Sequence, residues 1–142
     1  MASANFTAIT RSFIKGEIDF DTITCKILLL SAVPSASNLD TWVNRSDITT
    51  EITGTGYTSG GIAQAFTLPA LDTTNNRQAV NDTNISAGWT SATFTCAAAV
   101  IYVDTGSAAT DRLLHMLDLG AQTVTAASFG ITFDTPFYLT SV

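Results

Sequence analysis

From Ile85 onward the chain is a succession of strand-length runs divided by turn signals, and that half of the sequence constrains the fold most. Trp89 and then TSATFTCAAAVIYV, residues 90–103, predict one long strand, or two with a bend among Ala97 to Ala99, and Asp104-Thr105-Gly106 reads as the turn after it. RLLHMLDL is the next predicted strand and stops at Gly120; a short turn is expected from Ala121 to Ala127, SFGITF resumes the strand pattern, and FYLTSV closes the chain.

The first half adds fewer strands. CKILLLSAV, residues 25–33, is a continuous apolar run ending at Pro34. A run apolar on both faces belongs in the middle of a sandwich or beneath a helix. Ile62 to Leu68 reads as a strand ending at Pro69, and the Asx-rich stretch after it contains a short strand-like Gln78 to Val80. The one clear helical pattern is ANFTAITRSFIK, residues 4–15, where Phe6, Ile9 and Phe13 recur at spacings of three and four, with Ala2 and Ile14 to one side and Gly16 as the cap. Residues 34–51 read as a polar connection in which Asn38 or Asp40 starts one turn of helix through Trp42 and Val43. About eight short strands and a single helix predict a mainly β antiparallel sandwich or barrel. No internal repeat or linker divides residues 1–142, so one domain is expected.

Composition supports strands. Hydrophobic residues make up 46% and charged residues 13%, with Thr, Ser and Asn prominent in the polar remainder; β-branched side chains suit a pleated, half-buried surface. The net charge of −6, with no run of Lys or Arg, argues against nucleic-acid binding through phosphates. MASANFTAITRSFIKGEIDF lacks the continuous apolar core of an export signal, and the longest apolar runs are too short to span a bilayer, so a cytoplasmic origin and no membrane partner are expected. Cys25 and Cys96 each lie in an apolar strand-like run and are expected to be buried free thiols.

The stretch GTGYTSGGIAQAF, residues 54–66, raises the question of a phosphate site, since four glycines fall within eight positions. Gly54, Gly56, Gly60 and Gly61 do not reproduce G-x-G-x-x-G, and IAQAFTLP beyond them reads as strand rather than as the helix N-terminus that an anion needs. The reading is a flexible hairpin or edge segment with Tyr57 projecting outward, an aromatic anchor whose loss would leave the isolated domain's stability little changed. Trp42 reads as a lid on the core, with an interface anchor as the alternative. His115, the lone histidine, sits in LLHML and is expected to be a hydrogen-bonded core or interface residue rather than a catalyst. Asp19 and Asp21 could share a strand face toward calcium, though solvated turn carboxylates are the simpler reading. No G-x-S-x-G elbow or zinc spacing is present, so no catalytic, metal or cofactor-binding residue is expected.

FTAITRSFIKGEIDFDTITCKILLL, ITGTGYTSGGIA, AVIYVDTGSAATDRLLHMLDLG and FGITFDTPFYLTSV, taken in order, resemble a family of small virion structural proteins of tailed bacteriophages, of the head decoration or cement kind. The chain departs from that family's pattern at His115, where a small residue would be expected, and in its polar 34–51 connection. The resemblance implies a β-sandwich, often of jelly-roll type, here with one short N-terminal helix and no catalysis. It further implies a homo-oligomer, dimer or trimer, on the head surface of the virion, bound to the phage major capsid protein and made in the host bacterial cytoplasm. Phe6, Trp42, Gly54, Gly56, Tyr57, Gly60 and Gly61 are the interface candidates on this reading. The alternative within the same class is a tail, neck or head-fibre module for host attachment or connection.

Overall fold

The computed structural model describes residues 3–140. Eight strands and two short α-helices succeed one another as β1 (Ala4–Asn5), α1 (Ala8–Ile14), β2 (Cys25–Leu30), α2 (Ala36–Thr41), β3 (Ile62–Gln64), β4 (Phe66–Thr67), β5 (Arg77–Asp82), β6 (Ile85–Val103), β7 (Leu113–Ile131) and β8 (Phe137–Thr140), with a 3-10 turn at Arg45–Asp47. One antiparallel sheet has the order β1-β7-β6-β2-β3 and a second has the order β4-β5-β8. The protein is therefore mainly β and sandwich-like, as the strand runs require.

The chemistry of β2 explains why its sheet lies in the middle of the molecule. Ile27, Leu28, Leu29 and Leu30 are all fully buried, so neither face can meet water. Because side chains alternate along a strand, Ile27 and Leu29 join Ala99, Ile101 and Val103 in one core, which also holds Ile9, Val80, Trp89, Phe94, Leu114, Ile131 and Phe137. Leu28 and Leu30 point the other way, to Phe6, Trp42, Ala98, Val100, Tyr102, Leu113 and Met116. The second sheet and α1 close the first core; α2 and the residues after it close the second.

Several boundaries differ from the sequence reading, each for a tertiary reason. Residues 4–5 are strand rather than helix, because Ala4 and Asn5 pair with Met116 and His115 of β7. The helix itself begins at Ala8 and ends where Gly16 takes φ 66°. Its Ile14 is 82% exposed, off the core-facing side, while Ala2 lies outside the described residues. The 34–51 connection forms a second helix that starts earlier than Asn38: Ser35 caps it, accepting from the Asn38 amide while the Asn38 side chain accepts from Ser35 N, and Trp42 ends it.

The predicted strand from Ile62 to Leu68 is broken at Ala65 and serves both sheets, β3 pairing with β2 and β4 with β5. The Gln64 amide holds this corner by donating to Ala65 O and Thr83 O. The turn expected from Ala121 to Ala127 is instead the middle of one 19-residue strand, β7. Across from it β6 runs on without a break, so Gly120 at φ 64° and Ala126 at φ 48° make bulges, with register shifts beside both, rather than a chain reversal. Of the closing run FYLTSV, Phe137–Thr140 is strand, and Ser141 and Val142 lie outside the described residues.

Candidate interface segment and its surroundings

Residues 54–61 do not hang free. The segment approaches the sheet at two points, bridging Thr55 to Thr93 of β6 and bringing Gly61 against the backbone of β2. Gly61 has φ 72°, and a Cβ built on it would sit 1.8 Å from Ile27 O. A Cβ on Gly54 would lie 2.6 Å from Thr93 O, and one on Gly56, at φ 78°, 2.8 Å from Thr90 O. Glycine is needed here because backbone packs on backbone.

Tyr57 points inward, a correction to the outward anchor expected from its glycine neighbours. Its ring stacks on Trp89 at 6.4 Å between centroids and meets Phe94 edge-on at 6.1 Å. The hydroxyl donates to Glu51 Oε1 at 2.8 Å and accepts from Leu29 N at 3.2 Å. Burial, with the Glu51 carboxylate adding to it, holds the phenol well above its usual pKa, so it remains a donor. Ring and hydroxyl together fasten the segment to β2 and β6.

Glu51 organises the rest. Its Oε1 also accepts from Gly60 N at 2.6 Å, its Oε2 from Ser59 Oγ at 3.2 Å, and Tyr102 donates to Gly60 O at 2.6 Å. Beside them Arg45 lies 5.5 Å from the Tyr102 ring centroid and donates through Nε to Asp111 Oδ2 at 2.8 Å. That hydrogen bond to Asp111 raises the Arg45 pKa further. Asp111 is fully buried, and its other oxygen accepts from Thr105 N and Thr105 Oγ1. A buried carboxylate is tolerable only with such partners. Sequence reasoning missed Glu51, Arg45 and Asp111, since each is a single charge at a separate place in the chain; the one local sign was an acidic residue just ahead of the glycines.

The other two anchor candidates are also internal. Phe6 is fully buried and Trp42 is 9% exposed, both in the core beneath β2, so Trp42 is the lid rather than a projecting contact. The helical pattern grouped Phe6 with Ile9 and Phe13, but Phe6 follows β1 and packs with Leu28 and Leu30, whereas Ile9 and Phe13 belong to the core on the other face of the sheet. The structure thus brings Gly54, Gly56, Tyr57, Gly60 and Gly61 together as one packed segment, with Phe6 and Trp42 on the other face of the sheet.

His115 is a hydrogen-bonded core residue. Asn5 donates through its amide to Tyr138 O, which turns Asn5 Oδ1 toward the ring; His115 Nδ1–H donates to it at 2.7 Å. The imidazole stacks on Phe137 at 4.7 Å, and burial lowers its pKa to about 4. Cys25 and Cys96 are free and buried, with thiol pKa values pushed up by burial to about 12 and about 11. Asp19 and Asp21 lie in a turn in which Asp19 Oδ1 accepts from Asp21 N.

A cavity of about 610 Å³ opens beside β7 and β8, with Asp82, Asp118, Asp134 and His115 on its walls. Burial raises the Asp82 pKa to about 7. Among the described residues no group of three or more His, Cys, Asp or Glu side chains is placed to hold a metal ion, and no helix is long and apolar enough to cross a membrane. Comparison of the chain with protein-family models, curated proteins and solved structures gives no match.

Proposed function

We propose that the protein is a bacteriophage capsid decoration protein that stabilises the head shell by binding between major capsid protein subunits. The observation that carries this reading is the ordered resemblance of four segments, spread over nearly the whole chain, to small virion structural proteins. The mainly β, sandwich-like architecture agrees with it.

The role requires a rigid body more than a reactive one. A decoration protein adds buried interface across joints that the pressure of packaged DNA tends to open, and many copies sum modest contacts into a large effect. Rigidity here comes from the two cores on either side of β2 and from the Glu51 clamp on residues 54–61.

Purified particles provide the test. The chain should be present at a stoichiometry comparable with that of the major capsid protein, and particles assembled without it should release DNA at lower temperature until purified protein is added back. Presence in a few copies per particle would assign it to tail or neck, and absence from particles would end the reading.

A further inference from the structure

We propose that this chain pairs with a second copy of itself through the outer edge of β7, residues 121–125 of the two copies running antiparallel across a two-fold axis. This pairing is independent of the decoration role and is a property of the strand itself.

In the sheet order, β7 has β6 on one side and β1 on the other, but β1 pairs only with His115 and Met116. Beyond Met116 no described strand pairs with that edge. An edge strand leaves alternate backbone N–H and C=O groups unpaired and open to another chain. Burial agrees: residues 120–128 are exposed apart from half-buried Val124, whereas β6 opposite buries Trp89, Ala92, Phe94 and Cys96. β7 therefore stands at the rim of the core.

Within this rim one stretch is regular. Phe94, Thr95 and Cys96 pair in step with Val124, Thr123 and Gln122, and the bulges at Gly120 and Ala126 bound that register. Between them lie Ala121, Gln122, Thr123, Val124 and Thr125, close to the usual length of a strand of about 5–6 residues. The bulges end the edge on both sides but do not interrupt it.

Self-complementarity of an uncharged edge points to a second copy as the occupant. Proteins usually guard such an edge with lysine or proline, yet residues 119–133 contain no ionisable side chain and no proline. Two copies, each of net charge −6, therefore bring no like charges into contact along this edge. A two-fold contact must complement itself. With the axis at Thr123, Thr123 faces Thr123, Gln122 faces Val124 and Ala121 faces Thr125, small uncharged pairs that favour cross-strand contact. Five paired residues bury less than a standard interface, so the association should be weak and concentration-dependent.

Sedimentation of the full chain up to about 1 mM should show a reversible monomer–dimer equilibrium. Under mild oxidation, Thr123→Cys should form a disulfide-linked dimer at least about tenfold faster than Thr73→Cys, an exposed control on a turn away from the edge. Thr125→Lys, also exposed, should abolish the dimer while leaving the melting temperature unchanged. A wild-type chain that stays monomeric overturns the proposal, including the case in which the edge serves another polypeptide. So does Thr123→Cys linking no faster than the control, or a dimer that survives Thr125→Lys.

Discussion

Replacing Tyr57 by Ala tests whether residues 54–61 are packing or free surface. The ring is partly buried against Trp89 and Phe94, and the hydroxyl joins Glu51 to Leu29 N. Removing a core aromatic costs about 3–5 kcal/mol, and partial burial places Tyr57 at the lower end, about 3 kcal/mol. Tyr57→Phe keeps the ring but leaves the Leu29 amide and Glu51 without the hydroxyl, which costs about 1–2 kcal/mol. A domain of this size loses about 4 °C of melting temperature per kcal/mol, so the expected drops are about 12 °C for Ala and about 6 °C for Phe. Urea unfolding followed by Trp fluorescence should show the same order in the midpoints with the slope unchanged. A stability change below about 0.5 kcal/mol for Tyr57→Ala, the value for an exposed surface position, would refute the inward packing.

Gly61→Ala should be far more damaging than Gly106→Ala: both glycines have positive φ, but the new Cβ meets Ile27 O at 1.8 Å in one and nothing within 4 Å in the other. Thermal melts should put Gly106→Ala at about 1–2 kcal/mol, the cost of left-handed backbone for an L-residue, with Gly61→Ala beyond about 4 kcal/mol or unfolded. The pH profile should carry two opposed contributions, from Asp82 with a folded pKa raised to about 7 and from His115 with one lowered to about 4. Asp82 binds its proton more tightly when folded, so its contribution is fully present below the unfolded value of about 3.9 and is lost as pH rises through about 7; that of His115 is present above about 6.5 and is lost as pH falls toward about 4. Denaturation midpoints of Asp82→Asn should therefore rise more steeply from pH 4 to 6.5 than those of the wild type, and a profile parallel to wild type would refute the assignment.

Features that single segments decide were readable in the sequence. The run at β2 announced burial on both faces because no polar residue interrupts Ile27 to Leu30. The core histidine was readable for the same reason, lying between Leu114 and Met116, and each thiol because it sits in an apolar strand-like run. Gly120 misled because positive φ serves a bulge as well as a turn, and only the unbroken partner strand β6 distinguishes them. The break at Ala65 was hidden because a strand changing sheets keeps its β composition through the corner. Tyr57 was misplaced because flanking glycines show that the backbone bends without showing toward what, and the answer lay in Glu51, Trp89 and Phe94.

The inward position of Tyr57 changes where contact with a capsid subunit would have to occur. The glycine segment commits its aromatic ring, its carboxylate partner and its close backbone approach to the inside of the domain. A residue so placed would have to break its own packing before it could bury against a neighbour, and that loss would be subtracted from binding. The large apolar side chains left exposed among the described residues are Ile14, Leu68 and Leu71. Ile14 and Leu71 flank two shallow cavities that share Leu139 of β8, on the side of the three-stranded sheet. A subunit docking there would cover apolar surface without disturbing either core, and it would leave the β7 edge free for a second copy. The glycine segment would then act on binding indirectly, by keeping rigid the five-stranded sheet that presents the β7 edge and against which the three-stranded sheet packs.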